Sequence, residues 1–575
     1  MTMMQMKTRV LGLVMAAGLV TTPALATPPA LDRVSTDTPI IIGIKSMTEF
    51  SGDLQMWAKA VLPPEASMQM AMVDQMLSLP GLDADGSAAI ALTFPDGMGS
   101  GPVPTLILPA ADYGAFVEAM QGNPADGIAA LNMMGDTMYA KDLGNGFMAL
   151  SPEMGLVESF SGEAGQTAGH KARMGARGTA AADGADLFVI VDVESMRPLL
   201  EEGLDEMKSN MEMAAMMGGD AAAAQIDTIT SVADAVVADA RTVVVGLGLD
   251  DAGVWLDFAG QFAEGSDTGE IFAEAGNSTP LLGAIPNTDY IMAFAVDLSN
   301  PGIQSLMAEA AELNKGMGFS VNTGDMMKHA TGQSMVMGTT PGLFAGGLFS
   351  NTVQFTASDD PEALFSAMKT SMNKMNGQSQ EGMIFNTTFE ENTGEAGGKS
   401  LSSWGVALEA DPNHENAMAT SMALSQMTML FGGQAGPSGY TTTTDNGLVS
   451  TFSKNSKLME KVLTGDDSMA NNEMLKNAAT HLPADRTAEF YLNIKGVLDM
   501  VGPMMAMFAP GTDLGDLPEQ MSPIAIGLST GGNGMHARVF LPGDVLEFAG
   551  AMAQQFGGDG DWEDVEDEPD SRPRF

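Results

Sequence analysis

Gly527-Leu528-Ser529-Thr530-Gly531 comes closest to a catalytic device, because G-x-S-x-G marks the strained strand-to-helix turn that exposes a nucleophilic serine. Its context argues otherwise. Gly532, Asn533 and Gly534 follow, and then Met535-His-Ala-Arg-Val-Phe540, which reads as a strand and not a helix. The spacing predicts a hairpin. Gly394-Glu-Ala-Gly-Gly398-Lys399-Ser400 has the residue types of a phosphate-cradling loop, with three residues where four must separate the first glycine from the Gly-Lys pair. Strand-like runs flank it at 384–389 and 403–408, so it too reads as a hairpin loop. Asp83-x-Asp85-Gly86 and Asp559-x-Asp561 suggest calcium loops. The first has its glycine at the fourth position instead of the sixth and lacks the late glutamate, and the second has no glycine where one is needed. Turn chemistry explains one and an acidic tail the other.

His170, His329, His414, His481 and His536 are scattered, with no i,i+4 pair, so a zinc site would need tertiary contact. The 73 acidic residues are too many for sequence to single out a hydrolytic carboxylate pair. The 50 methionines form clusters: Met68, Met70, Met72 and Met76; Met207, Met211, Met213, Met216 and Met217; Met368, Met372 and Met375. Thioethers suit Cu(I). The same spacing of three and four recurs at Met418 and Met422, which is the pattern of amphipathic helices using Met in place of Leu in the core. Core filling is the leading reading, an adaptable apolar groove the second and copper the last. No catalytic, cofactor-binding or metal-binding residue is assigned, and no cofactor is expected.

The elements that would position these residues recur along the chain. Tyr139-x5-Asn145-Gly146 is answered by Tyr440-x5-Asn446-Gly447, each a strand, a tight turn and a second strand. Asp183-x4-Phe188 is answered by Asp485-x4-Phe490, each a strand entering a Met-rich helix. Gly246-Leu247-x5-Gly253 is answered by Gly527-Leu528-x5-Gly534, and helix 115–120 by helix 363–368. The openings also agree: Ile40–Ile44 leads to a helix with Phe50, Leu54 and Trp57, and Tyr290–Val296 to a helix from about Pro301. The expected fold is α+β, two similar halves, each a largely antiparallel sheet with helices packed on one face. The expected domains are a signal peptide over 1–26, a first half over 27–280, a second half over 281–556 and an acidic tail over 557–575, with a join near Gly265–Thr279. The Asp37-Thr38-Pro39 opening, the strand–helix unit at Leu106–Phe116 and the Asn145-Gly146 hairpin resemble a group of large exported bacterial proteins that carry a domain of unknown function. That resemblance implies a duplicated α+β protein and supplies no functional residue.

Compartment follows from the first residues. Lys7 and Arg9 precede the short apolar run 10–20, and Ala24-Leu25-Ala26 is a signal-peptidase triplet. The chain has no cysteine, which excludes disulfides, thiolate chemistry and a lipoprotein anchor. A net charge of −47 opposes nucleic-acid binding. The composition, 45% hydrophobic and 17% charged, is that of a globular chain. Together these point to an exported periplasmic or extracellular protein with a non-enzymatic binding or scaffold role. A carrier with an apolar, Met-lined cleft and a hydrolase with convergent carboxylates remain as alternatives, and a protein or apolar partner stays open. N-terminal sequencing of the exported chain should begin at Thr27; a chain that retains residues 1–26 would contradict the signal reading.

Overall fold

The computed structural model describes residues 28–557 apart from 62–73, 96, 98–100, 134, 219–229, 231–232, 314–323, 341–346, 381, 415–416 and 509–517. The signal segment, the acidic tail and Met68, Met70 and Met72 lie outside the described residues, as do the side chains of Met207, Met211, Met213, Met216 and Met217.

Twenty described strands form a single sheet. They are β1 Ile40–Ile44, β2 Ala88–Thr93, β3 Val103–Pro109, β4 Ala129–Met133, β5 Asp136–Gly144, β6 Phe147–Ser151, β7 Leu187–Asp192, β8 Ala240–Asp250, β9 Gly253–Phe262 and β10 Tyr290–Asp297. The chain continues with β11 Gly332–Gly338, β12 Thr352–Ala357, β13 Gln378–Gln380, β14 Met383–Ala396, β15 Lys399–Ala410, β16 Ser438–Thr444, β17 Gly447–Thr451, β18 Ala488–Leu492, β19 Ile524–Thr530 and β20 Gly534–Pro542. Every pairing is antiparallel, and the centre of the sheet is the pair β9–β20. Outward from β9 the order is β8, β7, β1, β2, β3, β6, β5, β4. Outward from β20 it is β19, β18, β10, β11, β12, β17, β16, β15, β14, β13. The same succession of connections thus runs out from the centre in both directions, with β14 and β13 extending the second. The architecture is α+β.

Helices lie on both faces. They include α1 Met47–Val61, α2 Tyr113–Ala119, α3 Thr167–Gly184, α4 Val193–Gly218, α5 Pro301–Leu313, α6 Pro361–Met375, α7 Ala417–Leu430, α8 Ile494–Phe508 and α9 Gly543–Gly557. Neighbouring residues of one strand show the division, since successive side chains point to opposite faces. Ile42 and Ile44 pack with Phe50 and Trp57 of α1, whereas Ile41 packs with Met174, Ala181 and Ala182 of α3. The strand-following helices α1, α4 and α9 share one face, as the sequence reading expected of helices in general. The helix α3 lies on the other, across β8, β9 and β20. It takes that side because its small residues, Ala181 and Ala182, allow close approach to Val244 and Ala259.

Two sequence correspondences shift by one residue. Phe188 pairs with Gly246 and faces α3, but the residue opposite Gly527 is Glu489, not Phe490. A one-residue slip moves a side chain through the sheet. Phe188 is fully buried, and its ring needs Gly43 opposite it, where an added Cβ would lie 2.3 Å from the ring. The turn in the first hairpin is Asn145-Gly146, both at positive φ, as its Asn-Gly chemistry predicts. In the second hairpin the two turn residues are Asp445 and Asn446, and Gly447 already belongs to β17.

The methionines divide by exposure. Met368, Met372 and Met375 of α6 are buried against Phe385, Trp404 and Leu448, but Met418 and Met422 of α7 are 82% and 61% exposed. Core filling describes the first group and not the second. Met372→Ala should cost about 2–5 kcal/mol of stability, and Met418→Ala should stay within about 0.5 kcal/mol; chemical denaturation of the two variants checks both.

Candidate functional site

The centre of the sheet carries the densest buried charge. Arg538 of β20 stands opposite Asp257 of β9. Asp257 is fully buried, and its Oδ1 lies 2.6 Å from His536 Nε2 and accepts from Arg538 Nε at 2.7 Å. Arg538 NH2 donates to Oδ2 at 2.8 Å, which makes the pair bidentate. The same guanidinium donates to His481 O and lies over the Trp255 ring. Beside it Arg177 of α3 donates to Asp485 at 2.6 Å, to the Ser529 hydroxyl and to Thr530 O. The segment 265–279, read as a join, is stitched to the same hairpin: Gly531 and Gly532 donate to Phe272 O and Ala273 O, and Thr530 Oγ1 donates to Glu274 O.

A cleft of about 450 Å³ opens next to this network. Its construction depends on a kink. Helix α3 breaks at Gly175, whose φ of 67° with ψ −176° is a backbone conformation that residues with a side chain rarely adopt. Gln261 Nε2 donates to Gly532 O and Asn533 O of the β19–β20 turn. The walls carry Arg173 from α3, Asp192 and Glu194 from the β7–α4 junction, Arg241 and Thr242 from β8, and Gly532.

The ion pairs of the cleft are loose. Arg173 NH1 lies 3.5 Å from Asp192 Oδ2, and Arg241 Nε lies 3.6 Å from Glu194 Oε1, a single contact each. Arg173 also donates to Thr36 O and Thr38 O through NH1, while its buried Nε and NH2 have no acceptor. Burial draws its guanidinium below the ordinary arginine value, with Asp192 opposing the shift. Thr242 Oγ1 on the floor is likewise buried without a partner. Two cations and two anions therefore line one small volume.

The residues singled out in sequence fall elsewhere. Ser529 sits on β19 in the predicted hairpin, fully buried, with its hydroxyl donating to Asp485 Oδ1. His536 stands opposite it in the ladder, but its Nε2 is directed to Asp257, so Ser, His and Asp are neighbours without forming a relay. Gly397 and Gly398 make the turn between β14 and β15, with no helix following. Asp83 accepts from the Gly86 amide in a turn ahead of β2. His170 is a core residue with Nε2 2.8 Å from Val34 O, its pKa lowered by burial. His481 stacks on Phe540 at 4.1 Å, and His329 and His414 lie apart. Among the described residues no three His, Asp or Glu side chains are placed to hold a metal ion, and no helix is long and apolar enough to cross a membrane. Sequence reasoning missed Arg173, Arg241, Thr242 and Gln261. Their only sequence signal was the glycine at 175, whose helix-breaking role appears when α3 meets Gln261.

Large apolar side chains are exposed on the opposite face of the same central strands: Leu256 at 37%, Phe258 at 45% and Ile526 at 37%. Leu256 and Ile526 both stand opposite Val539, so they flank one residue of β20.

A separate acidic group lies where α1 meets the β8–β9 turn. Asp53 and Asp186 are both pushed up to about 6, each chiefly by burial. Asp251, Asp186 and Asp250 add to the shift of Asp53. The Leu249 amide and Lys45 oppose that of Asp186, and Asp250 and Glu49 add to it. The folded chain holds these protons more tightly than the unfolded chain, whose aspartates titrate near ~3.9. Their stabilisation is complete below pH ~4 and is lost as pH rises through about 6. Asp53→Asn should therefore raise the unfolding free energy by about 1–2 kcal/mol at pH 8 and change it little at pH 4. Urea titrations at the two pH values check this, and an equal shift at both would refute the assignment.

Comparison of the chain with family models, with curated proteins and with solved structures finds no match.

Proposed function

We propose that this is an exported, non-catalytic binding protein whose ligand seat is the cleft between the kink of α3 and the β19–β20 turn. One observation carries the reading: Arg173 and Arg241 line a cleft of about 450 Å³ together with Asp192 and Glu194, each pair held by a single contact of 3.5 or 3.6 Å. The fully buried Ser529 and the engaged His536 count against a serine hydrolase. The loose resemblance to exported bacterial proteins with a domain of unknown function agrees with this reading. So does the twofold succession of strands, which we take as the trace of an internal duplication whose halves meet beside the cleft.

The apolar-carrier alternative draws on Leu256, Phe258 and Ile526, on the other face. Native mass spectrometry of the exported full chain separates the two readings. A released polar small molecule, lost in Arg241→Ala, is the expected result. A lipid or other apolar mass that Arg241→Ala retains would overturn the cleft as the seat and favour the carrier. A clean apo mass, with no ligand of any class restoring one, would leave the scaffold role.

A further inference from the structure

We propose that the outer side of helix α7 is a reversible oxidation site, where the thioethers of Met418 and Met422 consume hydroperoxides without loss of the fold. No residue of the cleft takes part.

The sulfur inventory sets the chemistry. The chain has 50 methionines and no cysteine, so no thiol competes with the thioethers for an oxidant. Susceptibility then follows exposure. Among the described side chains the exposed methionines are Met154, Met418 and Met422, the last two at 82% and 61%. Met418 and Met422 are four residues apart in α7, so they share one side of the helix. Around them Ala419, Ser421, Ala423 and Ser425 are exposed as well, and α7 carries no charged residue. Small neutral neighbours leave both sulfurs open to an oxidant arriving in water.

The inner side of the same helix provides the contrast. Leu424 and Met427 pack on the core that holds Met368, Met372, Met375, Phe385 and Trp404. Met372 is 2% exposed there. One region thus carries an outer pair of thioethers in water and an inner set in the core. Burial accounts for the inner set. It does not account for the outer pair, because leucine or lysine would serve an exposed helix position equally well. What methionine adds at such a position is the lone pair of its sulfur.

The step is a two-electron oxygen transfer. The sulfur lone pair attacks one oxygen of hydrogen peroxide, and the S–O bond forms as the O–O bond breaks. The proton on the transferred oxygen passes to the departing hydroxide, which leaves as water. Sulfur is oxidised and the peroxide is reduced. The sulfoxide produced is polar. On the outer side of α7 its oxygen is hydrated, and the inner contacts of the helix are kept. At Met372 the same oxygen would enter a core with Phe385, Val406 and Leu408, where an unpaired polar group is costly. The return step takes two electrons from a dithiol through methionine sulfoxide reductases, one for each sulfoxide epimer, and releases the oxygen as water.

The experiment exposes the full chain to hydrogen peroxide and reads each methionine by peptide mass mapping. Met418 and Met422 should each gain one oxygen roughly tenfold or more faster than Met372 and Met375. A mixture of both reductase types with dithiothreitol should then remove those oxygens from the folded chain. The double variant Met418→Leu, Met422→Leu should keep the urea midpoint of the parent and lose the fastest part of its peroxide uptake.

Oxidation of Met418 and Met422 no faster than that of Met372 would overturn the site, as on a helix face covered in solution. A urea midpoint that falls on brief oxidation of the parent but not of the double variant would overturn the tolerance, and the pair would then be a point of damage. Sulfoxides at 418 and 422 that the reductases leave in place would overturn the reversibility.

Discussion

The pairing of β9 with β20 is the constraint on which the rest of the molecule depends. It joins two runs of strands that are otherwise linked by the chain at 265–279 and by helix packing, and it is fastened by Asp257. A fully buried carboxylate is tolerated only where desolvation is offset by several charge-assisted bonds. Here both carboxylate oxygens are engaged, by His536 and by the Arg538 fork. Removing Arg538, which engages both oxygens, would leave an uncompensated buried charge in the middle of the sheet. The same arrangement gives register: a slip of one residue between β9 and β20 would carry Asp257 to the face that bears Leu256 and Phe258.

With that pair fixed, the position of α3 follows. The helix packs on β8, β9 and β20 together, so it reads the geometry of both runs at once. Arg177 fastens it to Asp485, Ser529 and Thr530 on one side. The break at Gly175 turns its preceding segment toward β7, carrying Arg173 to Asp192. The cleft is the space left by that bend. The tight pair at Arg177 and the loose one at Arg173 thus lie on opposite sides of the same kink.

Much of this architecture was legible in the sequence. Turn chemistry and the repeated landmarks located many of the strands, and the Asn145-Gly146 and Gly531–Gly534 turns formed as their residues required. The positions of Ile40–Ile44 and Tyr290–Val296 at equivalent places in the strand order were foreshadowed by their common openings. Register was less legible, because Phe188 and Phe490 look equivalent in sequence yet face opposite sides, and nothing local distinguishes a shift of one residue. The methionine pattern was read correctly for Met368, Met372 and Met375. It failed for Met418 and Met422, because α7 is apolar on its outer side as well and periodicity cannot tell which side is covered. The cleft was illegible. Its residues come from positions 173, 192, 241, 261 and 532, and they meet only through tertiary packing.

The alternation of β9 explains why two different ligand chemistries both find an argument in this protein. Trp255, Asp257, Ala259 and Gln261 point toward α3, and Leu256 and Phe258 point the other way. The first set ends in Gln261, which walls the polar cleft; the second supplies the apolar surface on the reverse side. Both are obligatory products of one strand with period two, so the presence of the apolar patch is not independent evidence for a carrier. A strand at the centre of a sheet with helices on both faces is expected to be apolar on each. The departure from that expectation is the polar set, Asp257 and Gln261, together with the facing Arg538 and His536. Polar residues in that position are costly unless they are matched, and Asp257 is matched in full. Arg173 and Arg241 near Gln261 are held to their carboxylates only by single contacts of 3.5 and 3.6 Å, and that looser pairing distinguishes the cleft from the Asp257 network.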